Sequence, residues 1–490
     1  MNLGEPTLTL AQTLWLLSPE LVLLLTSLII LGLDLLRRHR EGKWRPPHIA
    51  LVGLGGALVA TISLWNCHVR VLYVLSCDSF ALVVKIFALV TAGLIVLLSD
   101  AYLQAHSRHR GEFYALLILS TLAICLLSGA TNLIMIFLAF EILSITSYLL
   151  TGHLRDDPRS TGAAIKYFTY GAAISAVMLY GMSWLYGLTG STDLEGIAKA
   201  LLEAESRLRP AALPALILMT AGFAFKIGAV PFHQWAPDAY ESAPAPVIAF
   251  LSTGSKIAGF ALIVRVMLTA LPVDLVLDMD WRTLLMALAV LTMMVGNLVA
   301  LWQQNIKRML AYSSIAQAGY ILIGVVAASP QGVTSVLLYL AAYTLSNLGA
   351  FAAIIAFSNQ TGSDIIEDYA GLNKRAPELA MAMIICLLSL GGIPPTAGFI
   401  GKLYIFSAAI EKGLLWLAIV GVINSVISLS YYWKIIHAMY IAPTMTDERL
   451  TISPALMVAL GATVAGVLIV GILPGPLLSL IQAAVLSFFG

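Results

Sequence analysis

The sequence predicts an all-α polytopic membrane protein with about fourteen transmembrane helices. Three observations carry this. The 490 residues are 60% hydrophobic and 11% charged, with mean hydropathy +0.92. A soluble chain of this length has no means of covering so much apolar surface. Apolar runs long enough to cross about 30 Å of hydrocarbon, which takes about 17–25 residues, recur along the whole chain. Basic residues gather in alternate connecting loops, as in membrane-inserted chains.

The runs lie at 16–36, 49–66, 79–98, 113–130, 133–151, 163–188, 212–231, 245–270, 284–302, 309–328, 333–357, 379–410, 414–438 and 454–472. The first has no basic flank before it, exceeds a signal-peptide core in length and ends in RRHREGKWR. It is expected to be a retained anchor. Residues 475–489 are apolar but short, near Pro474 and Pro476, and are placed in the interface. If the N-terminus is outside, the inner loops hold fourteen lysines and arginines against six in the outer loops. Both termini outside is therefore the expected topology. The segment STDLEGIAKALLEAESRLRP offers Ser191 and Thr192 as caps and stops at Pro210. Its Leu194, Ile197, Leu201 and Leu208 recur at helical spacing, which predicts an amphipathic helix on the outer face.

A faint internal repeat lays EILSITSYLLTG (141–152) on SSIAQAGYILIG (313–324), an offset of 172. That offset spans five helices, an odd number, so the second copy enters the membrane from the opposite face, in the manner of inverted transporter repeats. The expected organisation is N-terminal helices in 1–112, a first repeat in 113–270, a second, inverted repeat in 284–438, and a C-terminal helix with its tail in 454–490.

Composition also narrows the chemistry. The four cysteines are scattered without CxxC spacing, and no two of the eight histidines sit at haem- or zinc-ligand spacing within a span. No glycine-rich phosphate motif precedes a helix. Neither a redox centre nor a nucleotide site is expected in this chain, so a gradient or partner subunits must supply the energy for any ion movement. The net charge of +1 selects no partner.

The candidate site residues are charges inside apolar runs. In GFAFKIGAVPFHQWAPDAYESAPAPVIAFLSTGSKIAGF, Lys226 and Lys256 lie deep in separate runs, divided by a turn holding Pro231, Pro237, Pro244 and Pro246. A lysine at mid-membrane costs about 2.5–3.5 kcal/mol on insertion scales and by default marks an ion path. Pro231 removes a backbone hydrogen bond just after Lys226, so helix 7 is expected to be broken there. Lys402 follows Gly391, Gly392, Pro394 and Pro395, which break helix 12 in the same way. Glu141 lies at the centre of LIMIFLAFEILSITSYLL, deeper than any other acid in sequence terms. A carboxylate there must take up a proton or find a cation.

For each there is a plainer alternative: a polar contact between helices for Glu141, and an anchor reaching the interface for the lysines. For Lys166, near the start of helix 6, both readings stay open. Lys85, Arg265 and Lys434 lie near span ends and read as anchors. His233, in the turn beside the Lys226 helix, is either a proton relay or a structural hydrogen-bonding residue; His437 is a weaker candidate. Ser313, Ser314 and Gln317 in KRMLAYSSIAQAGY line a water chain or join helices.

The stretches KIGAVPFHQWAPDAYESAPAPVIAFLSTGSK, NIKRMLAYSSIAQAGY and LSLGGIPPTAGFIGKLYIF closely resemble the antiporter-like membrane subunits of respiratory complex I and its relatives. AAIKYFTYGAAISAVMLYGMSWLYGLTG and the helix-12 lysine resemble the N-type branch, whereas the M type typically has glutamate at that helix-12 position. The PDAYESAP stretch departs slightly from the family pattern. The resemblance implies that Glu141 is the helix-5 glutamate and Lys226 the helix-7 lysine paired with it. It also implies that Lys256 is the central helix-8 lysine, Lys402 the helix-12 lysine near the outward half-path, and Lys166 the helix-6 lysine.

The implied function is proton translocation in the membrane arm of an NADH- or ferredoxin-dependent quinone oxidoreductase. NADH or ferredoxin, FMN, iron–sulfur clusters and quinone would then belong to partner subunits, and this chain would bind no cofactor or metal. The implied partners are the antiporter-like M and L types, the small K and J types, and through them the redox arm. The lipid bilayer surrounds the chain, and no nucleic acid is expected. The implied location is a bacterial inner (plasma) membrane. A subunit of a multi-subunit cation/proton antiporter is the alternative. A scaffold with a blocked path is a third reading, against which the presence of all four charged residues argues.

Overall fold

The computed structural model describes residues 8–37, 45–65, 67–204, 209–271, 281–444 and 448–489. A short helix α1 (Leu10–Leu16) leads into α2 (Ser18–Arg37) and α3 (Pro46–Ser63). A small antiparallel hairpin follows, β1 (Val69–Val71) with β2 (Leu75–Cys77), pairing Val69 with Cys77 and Val71 with Leu75. Next come α4 (Ser79–His106), α5 (Arg110–Gly129), α6 (Leu133–Thr151), α7 (Pro158–Thr189), α8 (Leu194–Glu203), α9 (Leu213–Ile227), α10 (Trp235–Ser242) and α11 (Ala245–Thr269). The second half holds α12 (Trp281–Ala300), α13 (Ile306–Val326), α14 (Pro330–Thr361), α15 (Leu372–Arg375), α16 (Pro377–Gly391), α17 (Ala397–Glu411), α18 (Leu415–Tyr440), α19 (Pro454–Ile472) and α20 (Gly475–Phe489).

Among the described residues, twelve helices are long and apolar enough to span a bilayer, and they coincide with twelve of the fourteen expected runs. The chain is a multi-pass integral membrane protein. Of the other two runs, 379–410 is divided into two shorter helices, α16 and α17, and 212–231 holds only the short α9, with α10 following beyond it.

Local chemistry explains the helix ends. Asp78, Asn132, Asp157, Asn305 and Ser453 accept hydrogen bonds from backbone N–H groups at the starts of α4, α6, α7, α13 and α19. Proline opens α7, α14, α16 and α19, where its missing N–H has no helical partner to lose. α9 and α16 stop at Gly228 (φ 72°) and Gly392 (φ 84°), left-handed positions that a side chain would strain.

α11, α13 and α14 form the centre and are covered on nearly all sides, whereas α2, α3, α7, α18 and α19 leave most of their residues open at the periphery. Most polar groups in the centre find a local partner, although Ser255 Oγ and Thr344 Oγ1 have none among the described residues. Asn347 of α14, for example, donates to Ser252 of α11 at 2.6 Å.

Three expectations change. The amphipathic helix is α8, with Leu194, Ile197 and Leu201 buried as predicted, but its cap is Asp193 rather than Ser191 or Thr192. The Asp193 carboxylate accepts from the Gly196 N–H at 3.1 Å and also pairs with Arg70 of β1 at 2.7 Å, an ion pair a hydroxyl cannot form. Leu208 lies outside the described residues. The tail does not lie apart: α20 packs on α4 and α14, burying Ile481, Ala484 and Val485. The proline-rich turn after Lys226 contains a helix, α10, because Pro237 falls in its first turn where no N–H is required.

One loop carries a pH-dependent contribution. His153, between α6 and α7, is 5% exposed, hydrogen-bonds Ser107 at 3.0 Å and sits edge-on to Phe113. Burial pushes its imidazole down to about 4, with His109 and Arg155 acting in the same direction. His153 therefore stays neutral in the folded protein where an unfolded histidine, titrating near 6.5, is charged. The associated stability is complete above about pH 6.5 and is lost as pH falls towards about 4. Histidine C2–H exchange followed by mass spectrometry should give His153 a midpoint near 4; a midpoint near 6.5 contradicts the buried placement.

Candidate functional site

Three of the buried lysines stand apart from the ion-paired Lys85 and Lys307: Lys226 on α9, Lys256 on α11 and Lys402 on α17, 1%, 3% and 4% exposed. Among the described residues none forms an ion pair with a carboxylate, so each ammonium is held by dipoles and rings. Lys226 donates to Ser144 Oγ at 2.9 Å and lies 4.9 Å from the Phe140 ring centroid. Lys256 donates to the Ser314 carbonyl of α13 and lies 5.4 Å from the Tyr343 ring. Lys402 donates to the Leu390 and Gly391 carbonyls at 3.1 Å each and to Ser425 Oγ at 2.7 Å, with Tyr320 4.6 Å away.

The broken helices explain how these sites are tolerated in hydrocarbon. A helix that stops mid-membrane leaves carbonyls that water does not reach, and each needs a partner. At the end of α9, Phe225 O accepts from Trp235 Nε1 at 3.0 Å. At the end of α16, Leu390 O accepts from Gln317 Nε2 at 3.0 Å as well as from Lys402. The negative end of α16 thus faces the Lys402 charge, the favourable arrangement for a helix C-terminus.

Two hydrogen-bonded clusters, one at Lys256 and one at Lys402, meet at the adjacent Ser314 and Ser313 of α13. The Ser314 hydroxyl takes the Tyr343 phenol at 3.0 Å. The adjacent Ser313 bonds Tyr432, whose oxygen accepts from Gln317 at 3.3 Å. Gln317 accepts from Tyr339 and shares the Leu390 carbonyl with Lys402. Behind Tyr320, Asn297 donates to Tyr320 and to Asn424, each at 3.1 Å, and accepts from Tyr431. Ser313, Ser314 and Gln317 were visible in the sequence, whereas the tyrosines and asparagines carried no local signal. Ser144 had one, since it is three residues past Glu141 on the same helical face.

Glu141 and Lys226 do not form an ion pair. Glu141 is partly exposed on α6, and its Oε1 is buried without a hydrogen-bond partner among the described residues. The Lys226 ammonium bonds Ser144 instead.

Lys166 lies outside the buried set. Its side chain is 70% exposed and pairs with Asp238 of α10 at 2.9 Å. Arg308 of α13 meets Asp238 at 3.1 Å and Glu241 at 2.6 Å in the same cluster. His233 is half-buried between α9 and α10, its Nδ1 without a partner among the described residues, and His437 is exposed in the last turn of α18.

Two of the expected anchors are interior ion pairs. Lys85 meets Glu20 of α2 at 2.6 Å, both nearly fully buried. Arg265 meets Asp78 at 2.9 Å, donates to Ser128 O at 2.8 Å and is covered by Phe80 and Phe488. Glu141 is therefore not the most enclosed acid; Glu20 (6% exposed) and Asp78 (8%) are more so. Nearness to a span end in the sequence does not show that α1, the hairpin and α20 cover that end. Lys434 remains a half-buried residue near the end of α18, donating to Gln303 O at 3.0 Å.

The Lys402 site depends on close backbone approach. A Cβ on Gly398 of α17 would collide with the Ser389 carbonyl of α16. Gly398→Val should therefore displace the two half-helices and lower the melting temperature, since overpacking typically costs about 1–3 kcal/mol or more. Wild-type melting of the purified variant would contradict the contact.

The sequence profile described as NADH:quinone oxidoreductase/Mrp antiporter, transmembrane, matches residues 130–428. The NAD(P)H-quinone oxidoreductase subunit 2 of Trichodesmium erythraeum is 43% identical, over 95% of this chain and 91% of its own length. A chain of the respiratory complex I of Thermus thermophilus, solved with aureothin, superposes with TM-score 0.79 at 31% identity, covering 94% of this chain and 98% of that one. A chain of the Mrp complex of a Dietzia species superposes with TM-score 0.83 at 22% identity, covering 97% of each, a likeness of fold.

Proposed function

Because the chain belongs to the NADH:quinone oxidoreductase/Mrp antiporter transmembrane family, we propose that it is the proton-translocating membrane subunit of an NAD(P)H- or ferredoxin-dependent quinone oxidoreductase. The observation that carries this reading is the row of three buried lysines without carboxylate partners, two of them with polar clusters that meet on α13. Such an arrangement holds a proton at Lys226, passes it towards Lys256 and Lys402, and releases it on the far side. Ser313, Ser314, Gln317, Tyr432 and Tyr339 orient the donors between the last two. Glu141 sets the proton affinity of Lys226 by approaching or withdrawing. Moving one charge against 100 mV requires about 2.3 kcal/mol, which is about a fifty-fold change in proton affinity. Lys166 and His233 are read as accessory: the first at the rim with Asp238, the second in the break of helix 7.

Two inverted repeats remain part of the reading, with residues 1–112 before them and 454–490 after. The offset of 172 carries α7 (Pro158–Thr189) onto α14 (Pro330–Thr361) end to end, and α5 and α6 onto α12 and α13 within a few residues. The chemistry of electron transfer, with NAD(P)H or ferredoxin, FMN, iron–sulfur clusters and quinone, is assigned to partner subunits. Those partners are the M- and L-type and the small K- and J-type chains and the redox arm. The membrane is read as a bacterial inner membrane with both termini outside, which the basic-residue count favours.

Gentle extraction of the tagged chain, with identification of the accompanying proteins, tests this. Co-purification with flavin- and iron–sulfur-bearing subunits and quinone reductase activity is expected. The second reading, a cation/proton antiporter subunit, is favoured by the Mrp-like fold. Recovery with antiporter-like chains alone, and sodium-dependent proton exchange in vesicles, would establish it.

A further inference from the structure

At the end of the bundle where α14 and α18 finish and α16 and α19 begin, the chain leaves a cavity of about 360 Å³. Lys374, Arg375 and Arg449 line it together with the apolar Leu450, Ile452 and Met457. Its size falls within the range of about 300–1,000 Å³ usual for small-molecule sites. Glu378, in the first turn of α16, is the single acid among these lining residues. None of the three cations forms an ion pair among the described residues, although carboxylates lie elsewhere on this face. Arg375 is held in place: its Nε donates to Glu448 O at 3.2 Å, its guanidinium lies 5.8 Å from the Phe357 ring, and its carbonyl accepts from Leu450 N at 3.3 Å. That fixing leaves its remaining N–H donors beside the cavity with Lys374 and Arg449.

Three cations without an ion-pair partner among the described residues, sharing a cavity with apolar side chains at the ends of spanning helices, match an amphiphile with an anionic head and acyl chains. We propose that this cavity binds the phosphate headgroup of an anionic phospholipid, with Lys374, Arg375 and Arg449 on the phosphate and Leu450, Ile452 and Met457 against the glycerol and first methylenes. Of the helices that converge here, α18 and α19 are peripheral on their other faces, so a lipid reaches the cavity from the bilayer on that side without entering the bundle. A free phosphate shares the head chemistry but leaves the apolar side unused. Basic pockets between spanning helices are a recognised setting for anionic lipid heads. The cavity lies at the first turn of α16, whereas Lys402 meets the carbonyls at the other end of that helix, and the assignment does not depend on the proposed function.

The test uses the detergent-solubilised complex containing the full chain, stripped of loose lipid and titrated with a photo-crosslinking phosphatidylglycerol. Adducts are mapped by peptide mass spectrometry. Adducts in 371–378 and 448–457 are expected, outcompeted by phosphatidylglycerol but not by phosphatidylcholine or by millimolar inorganic phosphate. The Lys374→Gln/Arg449→Gln variant removes two exposed side chains that make no hydrogen bond or ion pair among the described residues, so assembly should be intact. It should weaken phosphatidylglycerol binding at these peptides about 30-fold, from two surface charges. Unchanged adduct yield in the variant, equal competition by phosphatidylcholine, or displacement by inorganic phosphate would each overturn the assignment. So would protection of these peptides by a partner subunit in the lipid-free complex.

Discussion

Glu141→Gln and Lys226→Ala should each lower proton-coupled turnover by about 10²-fold or more, the scale on which a positioned proton-transfer group contributes. The Glu141 exchange keeps the shape and removes the charge. Its Oε1 makes no hydrogen bond among the described residues, so helix packing has no contact to lose there. What is lost is the field on Lys226. Lys226→Ala removes the ammonium itself, with one hydrogen bond to Ser144 and the face of Phe140 left open. Quinone reduction and acidification should be followed together in inverted vesicles, with subunit content checked on native gels. Loss of both activities with normal assembly is the expected outcome. Full coupled turnover in both variants would remove the proposed path, and failure to assemble would mean that Lys226 is structural.

Arg265→Met should have the largest effect on stability. It leaves the Asp78 carboxylate enclosed by α4, α5, α11 and α20 with its cation gone, and breaking a buried pair from one side costs about 3–5 kcal/mol. The chain should accumulate poorly in the membrane and melt early. Adding Asp78→Asn should restore much of the loss. Asparagine keeps the cap on the Ala81 N–H, now made at 2.8 Å by Asp78, and no longer places an unpaired charge in the interior. Equal instability of the single and double variants would show that the role of Arg265 is its bond to Ser128 O and its packing under Phe80 and Phe488, not the ion pair.

The class, twelve of the fourteen expected spans and the principal charges were legible in consecutive residues alone. Hydropathy is a property of consecutive residues, so a run such as 245–270 announces its helix without tertiary information. A lysine inside such a run is equally visible, which is why Lys226, Lys256 and Lys402 were all legible. Prolines and glycines after Lys226 and before Lys402 marked the breaks, because the loss of an N–H and the left-handed backbone are local effects.

Tertiary structure decided which charges are enclosed and what they touch. Lys85 and Arg265 read as anchors because their partners, Glu20 and Asp78, lie far off in sequence or beyond a span boundary, and the covers α1 and α20 are themselves distant. Lys166, near the start of its run and open to either reading in the sequence, is exposed and pairs with Asp238. The partner of Lys226 is Ser144, not Glu141, and the phenols of Tyr339, Tyr343 and Tyr432 in the clusters at the lysine sites come from helices with no periodicity to betray them. Burial of a whole helix such as α11 erases the amphipathic pattern, so only the packed bundle shows which face meets which neighbour.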